Sequence, residues 1–196
     1  MGHRMNPLTE NDLWPLPAYE QVRDDFRKKV IEAKQHRRIF VGPFMTFVFE
    51  NRLTVKFQVM EILRAEKVAD PAHVAEELEG FNTMLPQPGG LSATLMVELR
   101  GTEPEVKAEL AKLVGLHEHV FLSIDGEKVR AEFDAGRDDG ARISAVQYVR
   151  FPLGTVAGKL ASARKVVLGI DHPQYRHEAE LTEPQRRSLA GDLESA

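Results

Sequence analysis

The 196-residue chain contains no cysteine. That absence excludes disulfides, thiol nucleophiles, Cys-type zinc sites and an iron–sulfur cluster held by the chain's own thiolates. Any redox role therefore rests on a partner or a cofactor. Long apolar runs are missing too. Stretches such as Leu95–Val97 and Val166–Leu168 are a few residues long, against the ~20 needed to span a bilayer. The polar N-terminus has no signal-peptide core. Together these absences predict a soluble, cytoplasmic protein with no membrane partner. Nor is positive charge in excess: 26 Lys and Arg against 30 Asp and Glu leave a net charge of −4, which argues against general polyanion binding.

What is present is an ordinary globular composition, 42% hydrophobic and 29% charged. One globular domain is predicted over residues 1–196, with residues 1–7 and 194–196 frayed. At 100° per residue Tyr19, Val22, Phe26, Val30 and Ala33 share one stripe, which predicts a core-facing helix over Ala18–Gln35. Arg23, Arg27, Lys34 and Arg38 fall on the adjacent stripe and suit an anion or nucleic acid. Acid–base pairs spaced four apart, Asp24 with Lys28 and Asp25 with Lys29, compensate much of that charge, so nucleic acid is the weakest partner reading.

The runs Arg38–Val41 and Phe44–Phe49 flank Gly42-Pro43 and predict a hairpin. From Glu50 to Lys67 apolar residues occupy opposite sides (Leu53, Phe57 and Met60 against Val55 and Ile62), which predicts a long buried helix. Its polar stripe makes Glu61 a candidate metal ligand. Asp70-Pro71 and Thr102 with Glu105 carry helix-start signals. His117-Glu118-His119 is predicted to enter a strand with both imidazoles on one exposed face, and Asp125-Gly126 to turn a hairpin between Val120–Ile124 and Glu127–Phe133. The fold class that follows is α+β: a mainly antiparallel sheet of about six or seven strands packed against the long buried helix and several shorter ones.

The densest set of proton-transfer and ligating groups is Asp171-His172-Pro173-Gln174-Tyr175-Arg176-His177-Glu178. An extended backbone through Pro173 puts Asp171, Tyr175 and His177 on one face, as orienting carboxylate, phenol and base respectively. His172 and Arg176 then lie on the other face, as ligands for an anionic substrate. A turn at Pro173 would instead allow His172 and His177, with Glu61, to hold a divalent metal ion. The structural alternative is a turn cap at Asp171 and His172 with cross-strand pairing of Arg176 and Glu178.

The segments Leu53–Glu66, Ala93–Glu98 and Asp171–Glu178 taken jointly resemble a bacterial family catalogued as domain of unknown function 3501, over about Met5–Leu193. The resemblance brings no established activity and no catalytic residues. What it implies is context: genes for such proteins stand beside rubrerythrin-like and iron–sulfur oxidoreductase proteins, which suggests a redox or peroxide-related role. Three functions follow. The first is a cytoplasmic accessory or binding protein with an iron metalloprotein partner. The second is a small metal-dependent or acid–base enzyme using the His172–Glu178 segment. The third is an anion or nucleic-acid binding module on the first helix.

Overall fold

Two apolar periodicities in one chain, two residues in the β-rich runs and 3.6 in the helices, require layers that each bury one face. The computed structural model, which describes residues 7–68 and 70–194, meets this with two antiparallel sheets and a layer of helices. The helices are α1 (Leu16–Gln35), α2 (Arg52–Ala65), α3 (Pro71–Asn82), α4 (Glu103–Ala111) and α5 (Glu183–Glu194). The first sheet holds β1 (Arg38–Val41), β2 (Met45–Phe49), β3 (Gly90–Val97), β6 (Glu132–Phe133) and β7 (Val146–Pro152), in the order β1-β2-β3-β7-β6. The second holds β4 (Val120–Ile124), β5 (Glu127–Arg130), β8 (Val166–His172) and β9 (Tyr175–Glu180), in the order β5-β4-β8-β9.

The α+β class and antiparallel pairing agree with the sequence. Instead of one sheet of six or seven strands, the described residues form nine strands in two sheets. The difference arises at Ala131. Val129, Ala131 and Phe133 alternate as one strand would, yet Arg130 pairs with Phe121 of β4 while Phe133 pairs with Val149 of β7. The chain turns the corner between the sheets there, and the main core lies between them, with Phe47, Phe49, Leu95 and Phe151 in one cluster with Leu122, Leu168 and Ile170.

The opposite face of the five-stranded sheet meets α2, whose Val55, Val59 and Leu63 cluster with Tyr148. Helix α1 in turn packs Tyr19, Phe26 and Val30 around Met60, so α2 is buried from both sides as its two-sided pattern requires. Local chemistry sets the boundaries. Asn51 caps α2 by accepting from the Thr54 N–H at 3.1 Å while Thr54 Oγ1 accepts from the Asn51 N–H at 2.9 Å, which starts the helix after Glu50. Helix α1 begins at Leu16, not Ala18, because Pro17 sits in the first turn, where a missing N–H costs nothing. Asp125 and Gly126 have φ of +48° and +90°, the type I′ turn expected of that dipeptide. His117 and Glu118 belong to a 3-10 turn over Leu116–Glu118, and strand pairing begins at Val120. The two histidines therefore do not share a strand face. Among the described residues no helix is long and apolar enough to cross a membrane.

Candidate functional site

The His-rich segment turns. Pro173 and Gln174 form a two-residue connection in which His172 pairs with Tyr175, Asp171 with Arg176 and Ile170 with His177. Proline fixes φ for the first turn position, and the Gln174 N–H donates to His172 Nδ1 at 3.2 Å. Directly paired residues share a face, so the extended arrangement regroups. His172 and Tyr175 are buried on one face with His177 exposed at its rim, and Asp171 and Arg176 lie on the other. The expected trio of Asp171, Tyr175 and His177 is thus divided, and so is the expected pair of His172 and Arg176.

His172 is buried with both ring nitrogens occupied. Its Nε2 lies 3.1 Å from the Val114 carbonyl oxygen, which only accepts, so Nε2 carries the proton and Nδ1 receives the Gln174 N–H. Tyr175 is buried as well. Its hydroxyl donates to Val41 O at 2.6 Å and accepts from the Phe44 N–H at 3.3 Å, and burial pushes the phenol above its ordinary range. His177 is exposed and lies against Tyr175, ring centres 4.5 Å apart. Both rings stand at the Gly42-Pro43 turn that joins β1 and β2, and the Tyr175 hydroxyl fastens it. Turning at Pro173 does not make the histidines converge, because His177 stands opposite Ile170, two residues from His172 in the register.

Asp171 organises a different group. Arg130 donates to both its oxygens at 2.8 Å, His119 Nδ1 stands 3.1 Å from Oδ1, and Lys128 Nζ 3.5 Å from Oδ2. His119 also meets His172 edge to face, ring centres 5.1 Å apart. The bidentate Arg130 contact, helped by His119 and Lys128, holds the Asp171 carboxyl well below the usual carboxylate range. A carboxylate accepting the Nδ1 proton leaves Nε2 of His119 as the base, the arrangement used for general-base work. The sequence presents His119 as one of two exposed histidines, and its partner stands 52 positions away. Only the pairing of β4 with β8 joins them.

The depressed Asp171 has a consequence for stability. Its folded pKa lies below the unfolded value of roughly 3.9, so its contribution is full above that value and is lost as pH falls through the folded pKa. Between about pH 4 and pH 2 the urea midpoint of the wild type is expected to fall more steeply than that of Asp171→Asn. Parallel acid limbs would remove Asp171 from the account.

Glu61 belongs to the helical layer. It accepts from Tyr19 Oη at 2.8 Å and from Arg23 Nε and Nη2 at 2.8 and 2.7 Å, and these donors, Arg23 first, lower its pKa. The five-stranded sheet separates it from His172 and His177, so the structure does not bring the expected metal set together. Glu66, His73 and Glu77, at the α2–α3 connection, do place ligand atoms within 4.8 Å of one another, at the surface.

Of the cations expected on the first-helix stripe, Arg38 belongs to β1 instead and Arg23 is consumed by Glu61. Lys34 and Arg38 instead line, with Ile31, Gln35 and Phe40, a cavity of about 370 Å³ between the end of α1 and β1. On the other side of Phe40 a cavity of about 620 Å³ reaches Phe44, Thr46, Glu98 and Arg100. Phe40 itself is 62% exposed. The helices cover the Thr94–Tyr148 row of the sheet and leave the Phe40–Thr46–Met96–Val146 row open at its ends.

A two-sheet α+β protein with one uncovered sheet end and a charge-locked outer hairpin is the class these elements define. The profile of a family described as protein of unknown function (DUF3501) matches residues 7–193, and the chain belongs to that family. A crystal structure of a novel protein of unknown function from Burkholderia pseudomallei is similar to it at 36% sequence identity and a TM-score of 0.89. That likeness covers 96% of this chain and 100% of the other. No curated protein matches.

Proposed function

We propose that the chain is an accessory binding protein of a bacterial redox system, acting in the cytoplasm and docking an iron metalloprotein through the surface around Phe40. The observation that carries the reading is the exposure of that phenylalanine on an edge strand, between two cavities and beside Ile31, itself 53% exposed. Large apolar side chains grouped at a rim of polar ones mark interaction surfaces. The ionisable groups of the β8–β9 hairpin support the same reading, since Asp171, His172 and Tyr175 spend their hydrogen bonds on neighbouring strands and turns. An iron protein as partner is what the family resemblance implies, and a chain without cysteine would bring no thiolate-held cluster of its own to such a system.

The test is co-purification. Tagged wild type recovered from its native bacterium is expected to carry an iron protein, read as iron per chain. Phe40→Asp is expected to carry at least about tenfold less, the effect of losing a central apolar anchor, with an unchanged circular-dichroism melt. A wild-type eluate without iron above that of an unrelated tagged control overturns the reading.

A further inference from the structure

Among the described residues the sandwich has four edge strands, and three of them are protected. β6 is two residues long, while β5 and β9 carry charge along their length, Glu127, Lys128 and Arg130 on one and Arg176, Glu178 and Glu180 on the other. Short length and charge are the usual means of keeping an edge from pairing with a foreign strand. Among the described residues only β1 differs: it is an edge strand whose side chains include a large, exposed apolar one, Phe40.

The main chain of β1 is oriented for pairing. The Phe49 N–H donates to Arg37 O at 2.9 Å, which makes Arg37 and Phe49 a hydrogen-bonded pair. Antiparallel alternation then sends the N–H and C=O of Ile39 and Val41 towards β2, and those of Arg38 and Phe40 towards the open edge. A strand added there would lay every second side chain over the cavity lined by Ile31, Lys34, Gln35, Arg38 and Phe40. That cavity has two cations and no carboxylate in its lining, and among the described residues neither Lys34 nor Arg38 forms an ion pair.

We infer that β1 is a strand-addition site for an extended segment of the partner protein in which acidic and apolar residues alternate. This rests on the accessory-protein reading and specifies its surface. The charges decide against a second copy of the chain as occupant: pairing β1 with itself would bring Lys34 and Arg38 of each protomer against those of the other, and like charges across an interface oppose association. An acidic segment meets the same cations favourably.

The probe is a fluorescein-labelled twelve-residue peptide alternating Glu and Val, with a Lys and Val peptide of the same length as control. Wild type is expected to bind the acidic peptide at least about tenfold more tightly than the basic one. Backbone amide exchange at Arg38 and Phe40 should slow by a similar factor in the complex. The double variant Lys34→Glu/Arg38→Glu, taken with a circular-dichroism melt matching wild type, is expected to reverse the preference. Equal binding of both peptides, or an acidic peptide that leaves the Arg38 and Phe40 amides unprotected, overturns the inference. So does an iron protein that co-purifies undiminished with the double variant but is lost with Phe40→Asp, an outcome that leaves the accessory-protein reading standing. Conversely, peptide preference and amide protection with no iron protein recovered uphold the edge site and remove the iron partner.

Discussion

Arg37→Ala is expected to remove about 3–5 kcal/mol of folding stability at neutral pH, the cost of breaking a buried ion pair by deleting one partner. Arg37 is 2% exposed and spends its guanidinium on the exit of β2 and on α5. Nε donates to Phe49 O at 2.9 Å, Nη1 to Ser188 Oγ at 3.2 Å and Ser188 O at 3.4 Å, and Nη2 to Glu50 O at 3.3 Å and to the Asp192 carboxylate. The end of α1, the exit of β2 and the last turns of α5 are thereby tied at one point. Burial pushes the Asp192 carboxyl up while Arg37 pulls it down. Without the guanidinium the burial acts unopposed, and the carboxylate must either take a proton or stay charged in the interior.

The sign of the pH dependence follows. In the variant, Asp192 has a folded pKa raised further above its unfolded value, so the penalty grows as pH rises from about 4 and is smallest in acid. Urea unfolding of wild type and Arg37→Ala at pH 7 and pH 4 should therefore show the gap closing towards the lower value. Arg37→Met/Asp192→Leu removes both charges and is expected to recover most of the loss. If the double variant is as unstable as the single one, hydrogen bonds to Phe49, Glu50 and Ser188 outweigh the charge. A loss of 3–5 kcal/mol is a large share of the 5–15 kcal/mol that holds an ordinary domain together.

Beside this pair lies a second buried acid that needs no cation. Glu50, 3% exposed, accepts from Thr54 Oγ1 at 2.5 Å, Gln58 Nε2 at 3.1 Å and Thr94 Oγ1 at 2.7 Å. Neutral donors from α2 and β3 surround it, so it fastens the helix to the sheet it covers. The polar stripe of Glu50, Thr54 and Gln58 on the buried helix is thus one network, and Glu61, further along, serves the α1–α2 contact.

Features whose cause is local were legible in the sequence. Asp125-Gly126 specifies its own turn, Asp70 accepts from the His73 N–H at 3.1 Å as an N-cap does, and Thr102 and Glu105 close a capping box, because each involves residues three or fewer apart. The break between β5 and β6 was not legible, since the alternation through Ala131 is the same whether the partner is β4 or β7. The candidate site fails for a related reason. Which side chain meets Asp171 depends on how β8 pairs on both sides: β9 brings Arg176 opposite it, while β4 and β5 bring His119 and Arg130. No spacing within Asp171–Glu178 contains that information. Phe40 was placed correctly in a hairpin, but period two says which side chains share a face, not where a covering helix ends.

Gly42→Ala is the other large effect, and it joins the hairpin to the proposed docking edge. Gly42 has φ of +72°, where an L side chain is strained, and a Cβ built there would stand 2.4 Å from Tyr175 Oη and 2.5 Å from the His177 ring. His177 is exposed and has room to swing. Tyr175 does not: its ring is buried against Phe44, centres 4.5 Å apart, and its hydroxyl bridges Val41 O and the Phe44 N–H. Relief of the clash therefore sacrifices both hydrogen bonds or shifts the turn that ends β1. Backbone strain of about 1–3 kcal/mol and overpacking of about 1–3 kcal/mol give an expected loss of about 2–6 kcal/mol in urea unfolding. Tyr175→Phe removes the nearest clashing atom, so Gly42→Ala and Tyr175→Phe combined should cost less than the sum of the singles, by about 1 kcal/mol. Strict additivity would mean that backbone strain alone sets the cost. Since the same turn fixes where β1 ends, Gly42→Ala should also weaken binding at Phe40 without touching it, whereas His177→Ala, which only empties an exposed position, should leave both stability and binding close to wild type.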